Sequence, residues 1–272
     1  MKKKLSTLPS PAIAGVVREK NARATLAEIK NCICDGANMI DLHISCLENT
    51  ETGYLKNLIA SSPLPILALN YNSTYDQQDA LFSEDERIAS LLRAIDAGAD
   101  GIDLQGYSFH LPSKSAFCGE DSYSFTKGNP KEIVTDKSII DKQCEVIERV
   151  HHKDAEVLLS CHPGIYMNSR QVVELALFLE QRNPDIIKIV TVATNDDQLI
   201  ESFKTMLALK KEVKTPIAYH ACGKAGLISR ILNPMLGGHI AFCVDHFKES
   251  STLEQLDLRS ARAIIDNLKK IV

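Results

Sequence analysis

Residues 185–190 read DIIKIV, and one repeat earlier residues 155–161 read AEVLLSC and lead directly into His162. Runs of apolar residues of this length are typical of strands that are covered on both faces in a parallel sheet. The lysine at position 188 therefore requires an explanation, because an ammonium in such a strand is costly unless it is paired, hydrated or neutral. Amine chemistry is the usual explanation.

Strand-like segments of this kind alternate with amphipathic helical segments along the chain. The helix candidates lie at 26–33, 88–97, 172–179 and 199–209, and a closing helix covers about 256–269. The strand candidates lie at 12–17, 39–45, 66–70, 101–105, 156–161, 186–191, 217–221 and 239–244.

Eight strand–helix units in 272 residues predict an α/β fold, a (β/α)8 TIM barrel that forms a single domain over residues 1–272. The alternative is an open, doubly wound sheet. That fold usually has a glycine-rich turn after its first strand, and no such turn is present here.

One connection is unusually long. Residues 106–133 follow the fourth strand and are polar, with prolines and several aromatic residues. Long connections in compact domains are usually lids or binding loops, and this one leaves the carboxyl end of a barrel strand. A surface excursion without a function is the alternative, but the aromatic residues favour a packed lid.

Composition excludes several classes of partner. The net charge of −4 gives no reason to expect binding to nucleic acid or to an anionic membrane surface. The sequence has no signal-peptide pattern and no membrane-spanning run, which predicts a cytoplasmic protein.

Lys188 and His162 lie one strand–helix unit apart, so they are expected to face each other at one end of the barrel. Burial favours the neutral amine, which can attack a carbonyl, and an imidazole can move protons at the next carbon. As an alternative, His162 is a loop or N-cap residue of the following helix. Arg230, early in the helix after the seventh strand, suits a substrate carboxylate, or is an ordinary surface arginine.

Together with residues 223–230, which read GKAGLISR, these segments resemble type I 3-dehydroquinate dehydratase over essentially the whole chain. The resemblance implies a (β/α)8 barrel, a homodimer, a small-molecule keto acid substrate of the shikimate pathway, and no metal or diffusible cofactor. It implies that Lys188 forms an imine with the substrate ketone and that His162 shuttles protons. Arg230 would hold the ring carboxylate, and Ser251 and Gln255 match the Ser-x-x-x-Gln pattern of the closing loop.

The sequence departs from the family pattern at positions that contact the substrate ring. Asp41 and His43 stand where the family has Glu-x-Arg, Tyr71 follows Asn70 where it has Phe-Arg, and His220 replaces a methionine-type residue. We count Asp41, His43, Tyr71 and His220 as candidate substrate-binding residues. Changes of this kind alter discrimination between substrates, so we predict 3-dehydroquinate or a related cyclic keto acid.

Three alternatives to a Schiff-base dehydratase stay open. One is a class I aldolase-type enzyme that forms an imine with another ketone. Another is a metal-dependent enzyme, because Asp41, His43, His162 and His220 could meet at the carboxyl ends of the strands. The third is a barrel that binds a ligand without catalysis.

Overall fold

The computed structural model of the protein describes residues 3–71, 83–110, 133–247 and 254–271. Its strands are β1 Ala12–Val17, β2 Met39–His43, β3 Ile66–Leu69, β4 Gly101–Gln105, β5 Glu156–Cys161, β6 Ile186–Val192, β7 Ile217–Cys222, β8 Ile240–Val244 and β9 Leu256–Asp257. Its α-helices are α1 Ala22–Cys34, α2 Thr52–Ile59, α3 Glu84–Asp96, α4 Lys137–His151, α5 Ser169–Glu180, α6 Asp196–Glu212, α7 Ser229–Leu236 and α8 Leu258–Leu268.

The predicted (β/α)8 architecture is confirmed. An α-helix follows each of the strands β1 to β7, and α8 follows β8 after the short strand β9. The strands pair in parallel in the order β7-β6-β5-β4-β3-β2-β1-β8-β9. In the described residues no ladder joins β7 to β8. Instead the backbone N–H of His239 donates to the carbonyl of Ile217, at 2.7 Å, where the two strands begin.

The carboxyl-terminal element differs slightly from the prediction. The expected helix over 256–269 begins at Leu258, because the Asp257 side chain caps it by accepting a hydrogen bond from the Ser260 N–H. The two preceding residues form the short strand β9, in which Leu256 pairs with Cys243 of β8.

Side chains along each strand point alternately to the inside and the outside of the barrel, so the buried apolar residues form two separate layers. Ile187 and Ile189 of β6 belong to the large core between the sheet and the helices, whereas Ile186 belongs to a second cluster inside the barrel. Because side chains alternate between the two faces of a strand, Lys188 shares the inward face with Ile186. The same parity directs Asp41, Asp103 and His220 inward on their strands.

Only the ends of the long connection after β4 belong to the described residues. Tyr107 is buried there and lies under the guanidinium of Arg87, whose central carbon is 5.4 Å from the ring centroid. The predicted lid falls mainly on residues 111–132, which lie outside the described residues. Of the helices that the structure describes, none combines the length and apolar character needed to span a bilayer.

Candidate active site

A pocket that encloses about 590 Å³ of empty space, with the open solvent at its mouth included, lies at the carboxyl ends of the barrel strands. Eight of the nine predicted site residues line it, and Ser251 lies outside the described residues. The eight are Asp41, His43, Tyr71, His162, Lys188, His220, Arg230 and Gln255.

Lys188 lines this pocket and is buried, with 7% of the residue exposed. It donates a hydrogen bond to the phenol oxygen of Tyr71 at 3.1 Å. Its Nζ also lies 3.6 Å from the Oδ2 atom of Asp103 and 4.5 Å from the centroid of the Phe242 ring. The charge that was unexpected in an apolar strand is thus paired with a carboxylate and covered by an aromatic face.

Asp103 of β4 is fully buried and was not among the predicted site residues. Its Oδ1 atom accepts from the Ser160 hydroxyl at 2.6 Å and from the Gln105 amide at 3.2 Å. Its Oδ2 atom accepts from the Tyr71 hydroxyl at 3.2 Å and faces Lys188. Residues 101–105 read GIDLQ, so a charge within an apolar strand was the available signal, as it was for Lys188.

His162 follows β5 directly and is 7% exposed. It is not the N-cap of the next helix, because Asn168 caps α5 with its side chain. The rings of His162 and Tyr71 are perpendicular to each other, with centroids 5.7 Å apart. His162 and Lys188 therefore both contact Tyr71 and both line the pocket. As the sequence predicted, His162 follows β5 and Lys188 lies on the neighbouring strand β6.

His220 and Cys222 extend inward from β7. Burial, reinforced by the positive charges of Arg230 and Lys188, holds the pKa of His220 well below its usual value of 6.5. Burial also raises the pKa of the Cys222 thiol to about 12. At neutral pH the imidazole is thus uncharged and the thiol is protonated, so neither adds charge to the pocket.

Arg230 is an inward-facing residue and not a surface arginine. Its Nη2 atom donates to the Oε2 atom of Glu254 at 3.0 Å and to the sulfur of Cys222 at 3.3 Å. The other carboxylate oxygen of Glu254 accepts from the Gly223 N–H at 3.0 Å. Glu254, which the sequence analysis missed, thus occupies one edge of the guanidinium.

The two altered residues on β2, Asp41 and His43, lie close to each other, and His43 also contacts a residue that follows β1. Arg18, directly after β1, donates from Nε to the Nε2 atom of His43 at 3.3 Å. Asp41 Oδ2 lies 3.7 Å from the same nitrogen. Arg18 was also missed, although a cation just beyond the carboxyl end of a barrel strand is a usable signal.

Among the described residues, three buried polar atoms on the pocket wall have no hydrogen-bond partner: Asp41 Oδ1, Gln255 Oε1 and Arg230 Nε. Buried polar atoms are normally satisfied, so these three are candidates for hydrogen bonds to a ligand. Two of them are acceptors and one is a donor. A ligand that carries hydroxyl groups and an anionic or carbonyl oxygen would satisfy all three.

The metal alternative gains no support from side-chain positions. Within the described residues, no group of three or more His, Cys, Asp or Glu side chains is arranged so that it could hold a metal ion.

Comparisons with known proteins point to one family. The family model for type I 3-dehydroquinase matches residues 132–271, just over half of the chain. A 3-dehydroquinate dehydratase from Desulfotalea psychrophila is 22% identical over 230 residues, which cover 84% of this chain and 86% of that protein. A 3-dehydroquinate dehydratase from Alkaliphilus oremlandii is 26% identical over 141 residues, 51% of this chain and 53% of that protein.

Solved structures agree on the fold. A type I 3-dehydroquinate dehydratase from Clostridium difficile, with covalently modified comenic acid, superposes with a TM-score of 0.77 at 17% identity, covering 100% of this chain and 99% of that one. The 3-dehydroquinate dehydratase from Geobacillus kaustophilus gives 0.78 at 13% identity, covering 99% and 97%. The match to a family of carbon–oxygen lyases does not favour the aldolase or ligand-binding alternatives. This chain belongs to the type I 3-dehydroquinase family.

Proposed function

We propose that the protein removes water from 3-dehydroquinate, or from a closely related hydroxylated cyclic keto acid, through an imine on Lys188. The observation that carries the proposal is the buried side chain of Lys188 in a pocket that His162 also lines. The relatives named 3-dehydroquinate dehydratase supply the substrate class.

In the proposed reaction the Lys188 amine attacks the ketone, and the carbinolamine loses water to give an iminium ion. The iminium withdraws electrons and so favours removal of a proton from the adjacent carbon by His162. His162 then donates that proton to the hydroxyl group that leaves from the next carbon. General acid–base help of this kind contributes roughly 10²–10⁴-fold to the rate.

The unpartnered wall atoms support a substrate with this pattern of polar groups. Arg230 would bind the ring carboxylate, and Asp41 and Gln255 would accept hydrogen bonds from ring hydroxyls. His43, Tyr71 and His220 would shape the remaining wall where the family pattern is altered, and Ser251 keeps its predicted role on the closing loop.

The central test uses Lys188→Ala and the exposed-lysine control Lys204→Ala. We expect Lys188→Ala to lower kcat for 3-dehydroquinate by about 10³-fold or more, because the covalent route is lost. Borohydride added with 3-dehydroquinate should attach the substrate to Lys188 in the wild type and in the control. Turnover that survives in Lys188→Ala, or an adduct on another residue, would contradict the mechanism.

The quaternary structure and location follow from the same resemblance. We therefore propose that the protein is a homodimer located in the cytoplasm. Light scattering should then give twice the chain mass of 30.0 kDa, and cell fractionation should place the protein in the cytoplasm.

A further inference from the structure

The phenol of Tyr71 stands where the family pattern has an arginine, and it contacts the reacting nitrogen instead of only the substrate wall. We propose that Tyr71 is a catalytic residue of imine formation, relaying a proton between Lys188 and Asp103. The inference rests on the proposed imine chemistry at Lys188 and adds a second proton-transfer group to it.

The hydrogen bonds already run in the direction that a relay needs. Lys188 donates to the Tyr71 oxygen at 3.1 Å, and the Tyr71 hydroxyl donates to Asp103 Oδ2 at 3.2 Å. The direct separation of Lys188 Nζ from the same Oδ2 atom is 3.6 Å, longer than a hydrogen bond. The phenol therefore provides the hydrogen-bonded route between the amine and the carboxylate.

Asp103 is held as a fixed proton acceptor. Its Oδ1 atom is occupied by Ser160 and Gln105, which leaves Oδ2 to face the phenol. The carboxylate is fully buried, so water does not compete for the proton on that side.

The backbone next to Tyr71 is also held in position by hydrogen bonding. Arg87 of α3 donates from Nη1 to the carbonyl of Asn70, the preceding residue, at 2.9 Å. Arg87 is fully buried and also donates to Gln105 and to the Ser108 hydroxyl, so it ties the end of β3 to the end of β4. These bonds fix the backbone next to Tyr71 relative to the end of β4, the strand that carries Asp103.

The proton balance of imine formation is then complete. Lys188 as an ammonium gives one proton to the Tyr71 oxygen, which passes its own proton to Asp103, and the neutral amine forms the C–N bond to the ketone carbon. A second amine proton moves to the former ketone oxygen. As the C–O bond breaks, the proton on Asp103 returns through Tyr71 to that oxygen, so water leaves and a protonated imine remains.

Two groups thus divide the proton transfers. Tyr71 transfers protons at the nitrogen and the ketone oxygen, whereas His162, whose ring is perpendicular to that of Tyr71, transfers protons at the carbon atoms. A single imidazole would otherwise have to change its protonation state and its target between the two stages.

The test measures the rate of imine formation separately from turnover. Wild type, Tyr71→Phe and the control Tyr54→Phe, which removes a phenol hydroxyl on α2, are mixed rapidly with 3-dehydroquinate and quenched with borohydride. We expect Tyr71→Phe to slow the appearance of the Lys188 adduct by about 10²-fold, the scale of one general acid–base group. Tyr54→Phe should match the wild type, and thermal unfolding should show that both variants fold.

Two further readouts distinguish a relay from a packing role. In Tyr71→Phe the adduct rate should depend more steeply on pH than in the wild type, because the proton of the amine must then pass to solvent instead of to Tyr71. The double variant Tyr71→Phe/Asp103→Asn should form the adduct no more slowly than the slower single variant, because both substitutions interrupt the same proton-transfer path.

Each outcome bears on a different claim. A wild type that forms no adduct with 3-dehydroquinate would overturn the proposed function itself. A wild type that forms the adduct while Tyr71→Phe forms it equally fast would overturn only the relay. A uniform loss of rate at every pH, or additive losses in the double variant, would also overturn the relay.

Discussion

At the scale of single residues, the site is built from charges placed within otherwise apolar strands. Lys188 on β6, Asp103 on β4 and Asp41 on β2 each share the inward parity of their strand. Burial makes such groups expensive alone, and the pairing of Lys188 with Asp103 offsets that cost. The result is an amine held 3.1 Å from a phenol oxygen and shielded from bulk water.

His220 should make the stability of the protein depend on pH. The pKa of His220 is lower in the folded state than in the unfolded state. As the pH falls below about 6.5, the unfolded chain therefore binds a proton at His220 while the folded chain does not. The free energy of unfolding therefore decreases as the pH falls through this range. We expect His220→Gln to remove up to about 1.4 kcal/mol per pH unit of that decrease.

Urea denaturation at several pH values between 5 and 7.5 (approximately the range in which histidine titrates) measures this slope. The surface variant His152→Gln, on the exposed end of α4, is the control and should keep the wild-type slope. An identical slope in wild type and His220→Gln would show that this imidazole is not the group responsible.

At the scale of elements, the loop between β8 and β9 brings an acidic side chain to the site. Burial opposes ionisation of Glu254, but hydrogen bonds from Cys222 and the Gly223 N–H, followed by the charge of Arg230, lower its pKa overall. Glu254 is therefore a carboxylate at neutral pH and competes with a substrate carboxylate for Arg230.

Glu254→Gln should strengthen substrate binding. Glutamine can still accept from the Gly223 N–H, but it no longer neutralises Arg230. We expect the KM for 3-dehydroquinate to fall by roughly threefold to tenfold, equivalent to about 1 kcal/mol, with kcat little changed. Steady-state kinetics at low ionic strength measure the effect, with Glu212→Gln at the end of α6 as the control. A higher KM would mean that Glu254 helps to bind the substrate.

At the scale of the whole molecule, the two ends of the barrel perform different tasks. The carboxyl ends of the strands carry the pocket, whereas residues near the amino terminus close the opposite end. Leu5 is fully buried in the inner cluster and its carbonyl accepts from the ring of His239. Ser6 donates from its backbone N–H and its hydroxyl to Glu156 at the start of β5.

Leu5→Ala should therefore lower stability and spare catalysis. Removing a fully buried leucine side chain leaves a cavity and costs about 3 kcal/mol in the free energy of unfolding. Because Leu5 is at the end of the barrel away from Lys188, kcat should stay within about twofold of the wild type. Chemical denaturation and steady-state kinetics on the same preparation test both parts. Leu207→Ala, on the exposed face of α6, should change neither quantity much.

Parity and periodicity allowed the barrel, its eight main strands and most of its pocket to be read from the chain. A parallel barrel directs alternate side chains inward and brings the strand ends together at one face, so Lys188 and His162 could be assigned to one site from local pattern, whereas His220 was added as a substrate-binding residue through the family resemblance. The ninth strand, the start of α8 at Leu258 and the weak join between β7 and β8 depend on local capping and on how the last strands meet. Such details have no periodic signal.

The contacts that give the site its chemistry belong to the folded chain. The link from Lys188 through Tyr71 to Asp103 joins side chains of β6 and β4 to a residue that follows β3, and Glu254 reaches Arg230 from a loop 24 residues further along the chain. A linear pattern specifies the face on which each side chain lies, but a distance between two side chains depends on strand stagger, rotamers and the packing of every neighbour. For that reason the sequence alone determined the residue types and the face on which each side chain lies. Only the tertiary structure determined which group each charge contacts.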